Sequence, residues 1–316
     1  MWNTIRASFF LLWMSVFFSP AVAAPEQSFF RIATGAAEGV YFETGGELAS
    51  ILSVPAGSRP CAQGGPCGVP GLLVVAQTTQ GSVENIQLLA SGHVEAALVQ
   101  ADLAVAAVKG QAPFMGKPLS GVRLLMPLYA EAVHIIVRAD SKITSVRQLR
   151  GKRVAVGEPL SGTGFLARAV LNAAGLKSGQ YTADTSRAQP ALAALKAGTL
   201  DAVVMVGRVP FPRLTEAADA AALRFLAVDG KVRQRLVQKA AALQAFTLPA
   251  GSYIGQAAAV ETVAVPMLFL VREDIADAQA QAIARVLNRP ENLKKLAAEA
   301  PVSGAGVPLH KGLLVP

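Results

Sequence analysis

Two stretches decide the fold: "LASGHVEAALVQ" at residues 89–100 and "LKAGTLDAVVMV" at residues 195–206. Each ends a helical pattern at a glycine, Gly92 or Gly198, and then passes an acidic residue, Glu95 or Asp201, into an apolar run of strand length. The same order of elements surrounds both. Upstream of the first stretch, "RIATG" (31–35) reads as a strand and "YFETGGELASIL" (41–52) as a helix with Gly45, Leu48, Ala49 and Leu52 on one face. "GLLVVAQT" (71–78) is a second strand and "SVENIQLLASG" (82–92) a second helix. Upstream of the other stretch, "RVAVG" (153–157) is a strand, "TGFLARAVLNAAG" (163–175) a helix, and "QPALAALKAG" (189–198) a helix opened by Pro190.

The spacing is longer between Gly35 and Gly157 than between Gly92 and Gly198, so the first copy carries an additional piece. Cys61 and Cys67 fall within it. Two βαβαβ units of this kind predict an α/β protein of two lobes with a cleft between them, built on parallel or mixed sheets with helices on both faces. The crossing out of the first lobe is placed in "LLMPLYAEAVHIIVRAD" (124–140), as two apolar strands flanking "PLYAEA", and the return near "VETVAVPMLFLVRED" (260–274). The helices "DAQAQAIARVLN" (277–288) and "PENLKKLAAEA" (290–300) then pack back on the first lobe, and "VPLHKG" (307–312) closes the chain.

The 316 residues suffice for such a molecule. Residues 1–24 have a charged start at Arg6, an apolar run "ASFFLLWMSVFF" and a small-residue end, which is the layout of a secretory signal cleaved after Ala23. The apolar run is shorter than the roughly 20 residues of a membrane span. In an oxidising compartment, Cys61 and Cys67 in "SRPCAQGGPCGVPG" read as a local disulfide; a metal site is the alternative, but only three histidines are present and no second ligand pair.

The formal charge of +8 is scattered. In "KVRQRLVQK" (231–239) Lys231, Arg235 and Lys239 make a solvated helix face opposite Val232 and Leu236. Neither aromatic interleaving nor a recognition motif for nucleic acid is present. Gly35 and Gly39 lack the spacing of a dinucleotide fingerprint, and no Gly-Lys-Ser/Thr follows. Enzyme signatures such as G-x-S-x-G and H-E-x-x-H are missing, and His93, His134 and His310 stand isolated as structural or surface residues. The chain is therefore read as a non-enzyme without cofactor or metal.

Ligands of open α/β sheets sit beyond the carboxyl ends of the strands, at helix N-termini. Three such ends occupy comparable places: the loop from Gly35 to Val40, "TTQGSVEN" with Ser82 as N-cap, and "GEPLSGTG" with Ser161, Gly162 and Thr163. Together they predict a cup for one or two carboxylates. Gln100 and Asp102 in "LVQAD" follow a strand end; Asp102 suits a helix cap and a ligand contact equally. Tyr41 and Tyr129 are placed to line the cleft or the core, and Glu38 is expected at its rim.

A series of motifs, in order "TGAAEGVYFETGGELASIL", "QTTQGSVENIQLLASG", "LVQAD", "LYAEAVHIIVR", "LRGKRVAVGEPLSGT", "LPAGSYIGQ", "VAVP" and "VPLHKG", resembles the TAXI family of solute receptors for TRAP transporters over nearly all of the chain beyond the signal. The resemblance implies a type II periplasmic binding protein fold, with residues 1–23 as signal peptide, lobe 1 from 24–128 plus 265–316, and lobe 2 from 129–264. It implies a monomeric periplasmic receptor that hands a small carboxylate or amino acid (glutamate, glutamine, or a dicarboxylate such as 2-oxoglutarate) to membrane permease subunits. A module reporting to a membrane sensor kinase is the alternative. Carried over by motif, the ligand contacts are Gly35, Ala36, Gly39, Val40, Tyr41, Thr79, Ser82, Gln100, Asp102, Tyr129, Ser161, Gly162, Thr163, Gly207, Val209 and Pro210. The chain departs from the family's glycine-richer loops at Ala36, Ala37 and Glu38, and at Leu160 where glycine is usual; both changes narrow the approach of backbone to ligand.

Overall fold

The structure is a computed structural model and describes residues 27–216, 223–240, 242–298 and 307–308. The signal segment and His310 lie outside the described residues. The first unit runs β1 (Ser28–Ala33), α1 (Val40–Leu52), the short β2 (Ser53–Val54) and β3 (Val69–Pro70), β4 (Leu72–Gln77), α2 (Ser82–Ala90), β5 (Ala96–Gln100) and α3 (Ala101–Val108). A long strand, β6 (Val122–Arg138), leads to the second unit: β7 (Arg153–Ala155), α4 (Gly162–Ala173), β8 (Thr182–Asp184), α5 (Ala188–Lys196) and β9 (Ala202–Gly207). Then follow α6 (Pro212–Glu216), β10 (Leu223–Phe225), α7 (Gly230–Lys239), β11 (Gln244–Leu248), the second long strand β12 (Val260–Arg272), α8 (Asp277–Leu287), α9 (Pro290–Lys295) and β13 (Val307–Pro308).

The main sheet has the order β4-β1-β5-β12-β6-β9-β7-β8, a palindrome of two like halves. In one, β1 pairs parallel with β4 and β5, and β12 runs antiparallel to β5. In the other, β7 pairs parallel with β8 and β9, and β6 runs antiparallel to β9. All residues of β5 and β9 are buried, as strands covered on both faces must be. Val99 and Val204 share a core with Val83, Leu103, Leu166 and Leu236 of α2, α3, α4 and α7. Their neighbours Leu98 and Val203 share the opposite core with Leu48, Leu192 and Ile283 of α1, α5 and α8.

The duplication extends to hydrogen bonds. Glu95 accepts from Arg31 at both the backbone N (2.7 Å) and Nε (2.9 Å); Asp201 accepts from Arg153 at the same two places (2.8 and 3.2 Å). Gly92 and Gly198 both take a left-handed conformation (φ 72° and 74°) to turn from helix to strand. The long strands end alike as well, with Arg272 on Asp274 and Arg138 on Asp140.

The crossing strand differs from the sequence expectation. "PLYAEA" does not separate two strands; β6 runs unbroken through it, and its first half pairs with β12 while its second half pairs with β9. The prolines are accommodated because β12 is irregular there, its register shifting between Pro266 and Leu268, the latter facing Pro127. The long strands β6 and β12 thereby join the two halves.

Gly45 marks where α1 touches the sheet: a Cβ there would lie 2.4 Å from Thr34 Cγ2. Helix α8 packs on α1 and β3, and Val307 pairs with Leu124 of β6, so the chain returns to the first half. Cys61 and Cys67 form a disulfide in the loop between β2 and β3. Among the described residues no helix is long and apolar enough to cross a membrane.

Candidate functional site

A cavity of about 120 Å³ lies where the two halves meet. A single water needs roughly 10–15 Å³ on this measure, so the space suits a small solute. Three local structures form its walls. In the first half, Gly39 donates its N–H to Ala36 O (2.8 Å) and caps α1, which places Gly35, Ala36, Glu38, Gly39, Val40 and Tyr41 on the cavity. Glu38 thus lines the wall itself. In the second half, Ser161 is the N-cap of α4: its hydroxyl accepts from Gly164 N (2.8 Å) and donates to Glu158 O (2.7 Å). Gly162 and Thr163 follow it along the wall.

The third wall differs from its expected form. Gly81, at φ 119°, is the N-cap of α2, because its left-handed backbone excludes a serine there. Ser82 is instead the first helical residue; its hydroxyl accepts from Gln100 N (3.1 Å) and lies 3.3 Å from the Tyr41 hydroxyl. The free N–H groups of α2 are also met from across the cleft. Val83 N and Glu84 N both donate to Leu160 O (3.1 and 3.3 Å), so the residue standing in place of glycine seals two of the donors that the sequence assigned to a ligand. Arg208 pairs with Glu43 across the same gap at 3.0 Å.

Ten of the sixteen candidates come together on the cavity: Gly35, Ala36, Gly39, Val40, Tyr41, Ser82, Gln100, Ser161, Gly162 and Thr163. The other six lie off its wall. Thr79 is buried in the scaffold, donating to Asn85 Oδ1 (2.6 Å) and accepting from Gly81 N (3.0 Å). Tyr129 is buried with its hydroxyl 2.8 Å from Thr44 Oγ1. Asp102 faces a separate cavity between α3 and α4/α7, where it accepts from Leu103 N (2.9 Å) and burial pushes its carboxyl up to about 6. Gly207, Val209 and Pro210 do not line the cavity between the halves, Val209 packing beside Ala132, Leu248 and Ala264; the ring of Phe211 folds over Gly207 and itself lines that cavity. Only glycine permits this, since a Cβ on Gly207 would meet the ring at 2.5 Å. Tyr253 fixes that loop: its hydroxyl accepts from Phe211 N (2.8 Å) and meets His134 Nε2 at 2.7 Å. His134 is accordingly a core residue, and burial holds its imidazole down at about 4.

Of the charged residues of the cavity, sequence reasoning named Glu38 and missed Glu131, Glu158 and Arg187. Glu131, on β6, is 1% exposed; Tyr41 donates to it at 2.9 Å and Gln100 also hydrogen-bonds it. Burial pushes its carboxyl up to about 8 against the pull of these two donors, and the nearby charge of Asp102 acts in the same upward direction. Glu158 pairs with Arg187 at 3.0 Å, and Arg187 is the only cation lining the cavity among the described residues. The available signal for Glu131 was a lone carboxylate inside the apolar run "LYAEAVHIIV".

Two like halves that meet at a cavity define a protein with the fold of the periplasmic solute-binding proteins. Solved structures with this fold include PhnD1 from Prochlorococcus marinus in complex with methylphosphonate, 10% identical over 88% of this chain and 93% of that one, with a TM-score of 0.56. The periplasmic binding protein BugD is 14% identical over 92% of both chains (TM-score 0.54). XAC2383 from Xanthomonas citri, bound to ATP, is 15% identical over 88% and 90% (TM-score 0.52). At these identities the likeness concerns the fold alone. The chain belongs to the NMT1-like family, whose model matches residues 32–313.

Proposed function

We propose that this protein is a periplasmic receptor of a TRAP transporter of the TAXI type, which captures a small carboxylate-bearing solute between its lobes and delivers it to membrane permease subunits. The observation that carries this reading is a small cavity roofed by both lobes, with the Ser161-capped N-terminus of α4 and the Arg187 guanidinium on one wall. Helix N-termini and arginine are the usual partners of a carboxylate. The motif series quoted above supports the transporter class. Lobe 1 is taken as residues 24–128 plus 265–316 and lobe 2 as 129–264, with β6 and β12 as the connections that bend. Residues 1–23 would direct export and be removed.

Thermal-shift measurements on the mature chain with amino acids and dicarboxylates test the proposal. A ligand at 100 times its dissociation constant adds about 2.7 kcal/mol of stability. A raised Tm with at least one carboxylate is the expected result; no shift with any of them would overturn the reading.

A further inference from the structure

The base of the cavity carries acceptors without a cation. Glu131 is buried in its wall, and the donors that reach it, the Tyr41 hydroxyl and the Gln100 amide, are neutral. Gln100 is 2% exposed, and its Oε1 is a buried oxygen without a hydrogen-bond partner among the described residues. The charged groups near Glu131 are no remedy: Asp102 adds a further negative charge, Tyr41 and Tyr129 are phenols, Arg208, whose charge reaches Tyr129, is paired with Glu43 and does not line the cavity, and Arg187 is paired with Glu158. A buried carboxylate and an orphaned amide oxygen both call for N–H donors. A second carboxylate placed there would bring no donor to Gln100 Oε1.

We propose that Glu131 and the amide oxygen of Gln100 form an ammonium subsite, so that the cleft takes an amino-bearing carboxylate in preference to the corresponding oxo acid or dicarboxylate. A primary ammonium carries three donors and one positive charge, which matches both acceptors. The inference rests on the carboxylate-receptor reading and assigns the opposite end of the same ligand. In the empty cleft Glu131 holds its proton, because an ionised carboxyl buried without a cation is costly. When the ammonium arrives, the Glu131 O–H bond breaks, the proton leaves to solvent, and the carboxylate pairs with the ligand.

The test is calorimetric titration of the mature protein at pH 7 with the standard amino acids and, for each, its 2-oxo acid, L-glutamate against 2-oxoglutarate among them. At least one amino acid is expected to bind at least about tenfold more tightly than its oxo acid, the worth of a charge-assisted hydrogen bond. Glu131→Gln should weaken that amino acid about 10- to 100-fold. An oxo acid bound as well as its amino counterpart, or unchanged affinity in E131Q, would overturn the ammonium subsite and leave the carboxylate receptor standing. Binding of no carboxylate would remove both. Should E131Q fail to fold, the wild type decides: affinity should rise as pH climbs from 6 to 8, with proton release seen as a dependence of the binding heat on buffer ionisation. A flat profile overturns the proposal.

Discussion

Gln100 of the first lobe lies directly against Gly162 of the second, so closely that a Cβ on Gly162 would stand 2.2 Å from Gln100 Oε1. Gly162 opens α4 with room for no side chain on that side. Gly162→Ala should therefore obstruct closure without damaging either lobe. The expected result is a fall in ligand affinity of at least about tenfold with nearly unchanged Tm of the ligand-free protein, measured by titration calorimetry and thermal shift.

The Arg208–Glu43 pair spans the same gap but is partly exposed, at 29% and 48%. Exposed pairs contribute little, about 0.2–1 kcal/mol. Arg208→Gln should weaken ligand binding by no more than about fivefold, and added salt should narrow the difference from wild type. A much larger loss would mean that Arg208 contacts the ligand itself.

Neighbouring glycines of α1 should respond in opposite directions. Gly45 packs on Thr34, where a methyl group would clash, so Gly45→Ala should destabilise the fold by about 1–3 kcal/mol. Gly46 has open space around its Cα, so Gly46→Ala should stabilise it by about 0.5–1 kcal/mol through helix propensity. Denaturant unfolding of the two variants checks both signs.

His134 sets an acid limit on stability. Its imidazole stays neutral in the fold down to about 4 because it is buried, whereas the unfolded chain takes up a proton near the ordinary value of 6.5. Between these values the unfolded state binds more protons, so this residue's contribution is present above about 6.5 and is lost as pH falls toward 4, by up to roughly 3 kcal/mol. Glu131 slopes the other way, since its raised carboxyl makes the fold less stable as pH rises from 4.5 to about 8. Comparing wild type with His134→Gln cancels the Glu131 term: the difference in unfolding free energy should narrow as pH drops from 7 to 4.

The Cys61–Cys67 bond closes a short loop away from the cleft. Chain-entropy arguments give such a loop about 2 kcal/mol. Reduction, or the double serine variant, should lower Tm while leaving ligand affinity within about twofold. Loss of affinity on reduction would place the loop in the binding apparatus.

The elements and their repetition are legible in the chain's local patterns. Gly92 with Glu95 and Gly198 with Asp201 are local signals, and hydrophobic periodicity is a local property, so both lobes and the Ser161 cap could be read without coordinates. Which side chains meet follows from packing between distant segments. Along β6, Tyr129 turns to Thr44 while Glu131 faces the cleft, and only its pairing with β12 and β9 shows that the strand is unbroken. Thr79 and Asp102 resembled cleft residues because they follow strand ends, yet Thr79 is held by Asn85 and Asp102 turns to the other side of the sheet. Whether α2 offers its N–H groups to a ligand or to Leu160 depends on how the lobes close, and lobe closure brings together groups whose spacing along the chain carries no record of the contact.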